Sequence, residues 1–153
     1  MLSLVSALGR RWGWRPGRTA SRLPPGLDVD QFLRLARLSF VHLQAAWDAS
    51  DMPTLERLTT GPMLADLREQ LLARGAELNR TDVLDLRARL LAFEEMREAF
   101  VASVEFSGLI RERDDAAATE FRELWLLTRM KPGVEAPGPS PEAWQLAQVQ
   151  ALA

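Results

Sequence analysis

Apolar residues recur at helical spacing through the first half of the chain and at every second position through much of the second half. Leu27-Asp28-Val29-Asp30-Gln31 opens the first strong element. Asp28 suits an N-cap, Gln31 completes a capping box, and Leu27 with Phe32 suits a hydrophobic staple. Phe32, Ala36, Phe40, Leu43 and Trp47 then form one apolar stripe, with Arg34, Arg37 and Gln44 off it. That stripe predicts a helix to about Ala49. Asp51 and Pro53 start a short second helix holding Leu55 and Leu58. Thr60-Gly61-Pro62 starts a third, with Leu64, Leu67, Leu71 and Leu78 at helical spacing.

After Asn79 the period changes to two. Leu84, Leu86, Ala88 and Leu90 alternate with Asp85, Arg87 and Arg89, the pattern of a strand with one face buried. "EEMRE" is its turn, although it lacks the usual Gly or Asn. A second strand follows, with Ala102, Val104, Phe106 and Ile110 on one face and Ser103, Glu105 and Ser107 on the other. Asp114-Asp115 marks the next turn. In the third strand Phe121, Trp125 and Leu127 share one face, and Leu124 and Leu126 the other, which suits a helix cover or a partner surface. A Pro/Gly loop precedes "WQLAQVQAL", a fourth strand or a short helix. Three helices followed by about four antiparallel strands indicate an α+β fold, with helices packed on one face of a curved sheet.

Composition changes this picture in two ways. Residues 1–26 hold five Arg and no acid, which leaves 14 basic and 21 acidic side chains, net −7, in the rest. An acidic body repels nucleic acid, so any attraction to phosphate or anionic lipid lies in the arm. The arm, residues 1–26, reads as a basic Arg/Trp segment and linker ahead of one domain at 27–153. Its uncharged start is shorter than the roughly 20 residues that span a bilayer. Arg10, Arg11, Trp12, Trp14 and Arg15 suit a membrane contact, with Trp at the headgroups and Arg on anionic lipid. A leader, a transit peptide or the remnant of a longer N-terminus suits the same composition. The second change is what the chain lacks: it has no Cys and no Tyr, and a single His. Disulfides and thiolate metal sites are excluded, and common catalytic devices are missing.

The segments from "DVDQFLRLARLSFVHLQAAWDASDMPTLERLTTGPMLADL" through "NRTDVLDL", "VASVEFSGLIRE", "FRELWLLTR" and "WQLAQVQAL" resemble bacterial proteins of the Tim-forty-four-like domain family. Leu43-Gln44-x-x-Trp47, Phe106-Ser107-Gly108-Leu109-Ile110-Arg111, Glu123-x-Trp125 and Trp144…Gln150 carry the likeness, which covers about residues 27–151. It implies a cone-shaped α+β fold of the nuclear-transport-factor-two-like type. It also implies a non-enzymatic adaptor role peripheral to the bacterial inner membrane, through a protein segment or acidic lipid, with a cytoplasmic location as the alternative. The chain departs from the family pattern in having only the short Arg/Trp arm, and in Leu126 where His often follows Trp.

The same cone shape hosts enzymes, so each candidate for chemistry is weighed. His42 lies beside the first stripe and reads as a surface residue. Glu123 shares a strand face with Phe121 and Trp125, and alternation turns it inward, where burial raises its pKa. A base for a small-molecule enzyme is one reading. A carboxylate paired with Arg or facing water is the favoured one, because no second acid or His converges on it. Asp114-Asp115 lacks the spaced oxygens of a hard-cation loop. No phosphate loop, nucleophile elbow or His-Glu metal motif is present. The expectation is therefore no catalytic residue, no cofactor and no metal. Trp47, Val104, Phe106, Trp125 and Trp144 are the candidate wall of an apolar pocket, or simply core. A homodimer formed through the apolar second face of the third strand is a further expectation, with a scaffold role.

Overall fold

The computed structural model describes residues 28–75, 80–112, 117–131 and 144–152. Three helices precede four strands: α1 (Val29–Asp48), α2 (Met52–Leu58), α3 (Gly61–Arg74), β1 (Asp82–Glu95), β2 (Ala99–Arg111), β3 (Thr119–Met130) and β4 (Gln145–Ala151). The strands form one antiparallel sheet in the order β1-β2-β3-β4. This is the expected α+β segregation, and the last segment is a strand. The Leu27 staple, Leu78 and the Asp114-Asp115 turn lie outside the described residues, as does the arm.

Each cap sits where the sequence places it. Asp28 accepts a hydrogen bond from the Gln31 amide at 3.2 Å. Asp51 accepts from the Thr54 amide at 3.3 Å and the Thr54 hydroxyl at 2.6 Å. Both satisfy first-turn donors that have no partner inside the helix. At the other end of α1, Arg74 from α3 donates to the Trp47 carbonyl and the Ser50 hydroxyl, each at 2.6 Å. Its guanidinium also lies 4.9 Å above the Trp47 ring. A cation on the last carbonyls of a helix complements their partial negative charge, so Arg74 clamps α3 to the end of α1.

The core forms where α1 crosses the inner face of the sheet. The Phe40 ring centroid lies 4.9 Å from Phe106, 5.5 Å from Phe121 and 4.8 Å from Trp125. Leu55 of α2 and Met63, Leu67 and Leu71 of α3 extend this cluster. The Thr60 amide donates to the Leu146 carbonyl at 3.0 Å, and Thr59 pairs with Leu146, so the helices are tied to β4. Gln44, expected off the stripe, is buried beside it, its amide donating to Asp48 at 2.9 Å.

Leu84 departs from the expected row. The β1–β2 register shifts between Val83 and Asp85 and again between Leu90 and Ala92. An extra residue turns the following side chains over and bends the strand. Val83 and Phe93 therefore pack on the core, while Leu84 and Leu91 are exposed. Gly108 sits opposite the first shift. A Cβ there would run into the carbonyl oxygen of Asp85 and lie 2.7 Å from its carbonyl carbon. That close approach is the physical reason for Gly in "FSGLIR". On the outer face Glu105 accepts from Arg89 at 3.0 Å and Arg122 at 3.1 Å, linking β1, β2 and β3. The Arg122 bond, then the Arg89 bond, lowers the Glu105 pKa against the opposing effect of burial.

Gly108→Ala is expected to cost about 2–3 kcal/mol by forcing two backbones apart. Gly61→Ala, where a Cβ meets nothing within 4 Å, changes stability by less than about 1 kcal/mol. Urea unfolding of the two variants checks the difference.

Candidate functional site

Two places carry features that packing alone does not require. One is a groove beside α1. The apolar residues of α1 exceed what a single buried stripe uses, because Leu35, Leu38 and Val41 fall outside it. Leu35 is 49% exposed and Leu38 56%. With Phe32, Ala36, Ser39 and His42 they form one wall of a groove of about 300 Å³, closed by Leu58, Leu127 and Trp144. Trp144 is set by edge-on ring contacts to Phe32 at 5.0 Å and Phe93 at 5.8 Å. Polar side chains at this groove are Ser39 and His42, so it suits an apolar ligand with few directional contacts.

The candidate pocket residues divide between two environments. Trp47, Val104, Phe106 and Trp125 are buried in the packed cluster. Trp144 is half-buried and lines the groove. Sequence reasoning missed Leu35 and Leu38. The signal was present, since α1 carries apolar residues on more than one face. The arm residues Arg10, Arg11, Trp12, Trp14 and Arg15 lie outside the described residues. Leu124, on the outer sheet face, is buried, and Leu126 is half-buried.

The second place is Glu123. It lies on the inner face of β3, paired with Phe106 on β2 and Ala151 on β4. Alternation turns it inward as expected, but it is neither in water nor paired with Arg. It is fully buried, and Arg122 points to the other face and pairs with Glu105. The Trp125 indole N–H donates to Glu123 Oε1 at 3.1 Å, and Oε2 has no partner. The Glu-x-Trp motif is thus one hydrogen-bonded unit along an inner strand face. Burial pushes the Glu123 pKa up to about 8, and the Trp125 bond offsets this in part. The carboxyl is thus mostly protonated at pH 7. A single enclosed acid with no second titratable partner holds a proton but does not by itself assemble acid–base catalysis.

With this geometry in place the family is decided by its model, the Tim44-like domain, which matches residues 15–151. The chain belongs to the Tim44-like domain family. The match begins inside the Arg/Trp arm. No curated protein matches the chain. A solved structure of similar shape is that of a ketosteroid isomerase-like protein from Erwinia carotovora atroseptica. It has 10% identity and a TM-score of 0.42, covering 81% of this chain and 98% of that one. Among the described residues no helix is long and apolar enough to cross a membrane, and no group of His, Asp and Glu is arranged to hold a metal.

The raised Glu123 pKa has a definite sign in stability. The folded state keeps a proton that the unfolded chain releases near 4.5. Stability from this group is full below about 4.5, falls as pH rises and is lost by about 8. The whole loss is on the order of 5 kcal/mol. Glu123→Gln keeps an acceptor for Trp125 and removes the titration. Denaturant unfolding from about pH 5 to 9 is expected to slope downward for the natural chain beyond the slope of the variant.

Proposed function

We propose that this chain is a non-catalytic binding module that works peripherally at the bacterial inner membrane. Its groove beside α1 holds the apolar part of the ligand, a hydrophobic protein segment or the acyl portion of an acidic lipid. Arg10, Arg11, Trp12, Trp14 and Arg15 supply the contact with anionic headgroups. The single observation that carries this reading is the open groove, where Leu35 and Leu38 stand about half exposed in a wall with Phe32, closed by Leu58, Leu127 and Trp144. Exposed neighbouring apolar residues around a concave site favour an apolar partner. Membership of the Tim44-like family supports an adaptor role. Two weak attachments, a short arm and a groove, suit reversible association, since one short anchor alone binds marginally.

The non-catalytic part of the reading is supported by the chemistry available. The groove offers Ser39 and His42 as its polar groups. An enzyme acting through Glu123 would need substrate to reach a carboxyl that is 0% exposed.

Flotation of the full chain with anionic and neutral liposomes tests the reading. Binding is expected to anionic vesicles and to weaken as salt rises. The double variant Leu35→Asp/Leu38→Asp alters exposed positions, so the fold is retained, and it is expected to weaken binding at least tenfold. Each lost Leu contact is worth about 1.5–3 kcal/mol when fully buried. Equal binding by the double variant would remove the groove from the proposal.

A further inference from the structure

The carboxyl of Glu123 needs an explanation that core packing does not provide. An apolar side chain of similar size would fill the space without an unpartnered oxygen, and replacing buried charge-bearing groups by hydrocarbon is often neutral or stabilising. Elsewhere in the sheet Glu105 meets two Arg. Glu123 meets none.

Its position in the ladder is informative. Glu123 and Ala151 are the last pair of the β3–β4 ladder, and β4 is an edge strand. Beyond that pair the Leu152 amide donates to the Arg122 carbonyl at 2.9 Å. The β3–β4 register shifts between Leu126 and Leu127. That shift divides β4 into two parts. The first is anchored, because Leu146 is fully buried and tied to Thr59 and Thr60. The second, Gln148–Ala151, pairs with β3 alone among the strands and is seated by Val149, which is fully buried in the core cluster.

We propose that Glu123 is a proton-controlled latch on the C-terminal part of β4, closed when the carboxyl is protonated and loosened when its proton leaves to solvent. Among the described residues the groups around the carboxyl offer it no counter-charge. Phe106 and Ala151 lie beside it in the sheet, and Phe40 of α1 packs on the flanking Phe121 and Trp125. The buried row of α1 has Gln44 as its one polar member, and the buried residues of α2 and α3 are apolar. The nearest charges along the strands, Arg122 and Glu105, are on the opposite face and paired with each other. Burial and the Trp125 bond are what act on its titration, with no charged partner. An ionised Glu123 therefore gains stabilisation from water and not from a neighbouring cation. The register shift supplies the hinge, so Leu146 and the helices stay in place.

Amide hydrogen exchange of the full chain at about pH 6 and pH 8.5, corrected for intrinsic rates, tests the latch. Protection of the Gln148–Ala151 amides is expected to fall at least tenfold at the higher pH and to be insensitive to dilute urea, while α1 and the Leu146 amide keep a higher protection that falls with urea, as exchange through global unfolding does. In Glu123→Gln and in Glu123→Leu the same amides are expected to show no such pH dependence. Equal protection and an equal urea response across α1, β2 and β4 at both pH values would overturn the latch in favour of a purely global stability effect. An unchanged pH response in either variant would overturn it as well. If neither variant folds, the natural chain's own profile decides between local and global loosening.

Discussion

The contact on which this structure depends is the Phe40 ring wedged among Phe106, Phe121 and Trp125, with centroids between 4.8 and 5.5 Å. It locks the long helix onto the two central strands. Aromatic pairs of this kind add to their area burial through ring electrostatics, and each ring removes a large apolar surface from water. Two consequences follow. The interior beneath α1 is filled by rings, and a carboxyl on the same strand face is sealed among them. The remaining apolar residues of α1, Leu35 and Leu38 above all, have no place inside and stand on its flank.

Much of the fold was legible because two periods dominate the chain. The stripe from Phe32 to Trp47 and the alternation from Ala102 to Phe106 each match the buried face found. Asp28 and Asp51 announce their helices through local hydrogen bonds, which depend on few neighbours. Leu84 was misplaced because a register shift is a pairing property of two strands and leaves no mark in the period of one. Glu123 was turned inward correctly by alternation, yet it meets no Arg from a neighbouring strand, and the adjacent Arg122 belongs to the other face. The groove depends on the distance between α1, Leu58 and Trp144, which spacing along one helix does not encode. The surplus of apolar residues on α1 was the part of it that could be read.

These features fit one functional account. On the proposed reading, a Tim44-like chain with a packed interior binds on its surface, where α1 and Trp144 leave apolar side chains in contact with water. Gly108 permits the close approach of the Asp85 backbone beside the first β1–β2 register shift. Under the proposed latch, ionisation of the Glu123 carboxyl acts on an edge of the fold and not on the groove wall. As proposed, binding and proton response belong to separate elements of one domain.

The account's central claim is that ligand is met on the flank of α1 and not inside the sheet. Methyl and indole NMR of the full chain, titrated with a soluble short-chain anionic phospholipid, tests it directly. The account predicts shifts concentrated on the methyl groups of Leu35, Leu38 and Leu58 and on the Trp144 indole, with Trp125 unmoved. Shifts centred on Trp125 and Val104, with Leu35 and Leu38 unchanged, would contradict it.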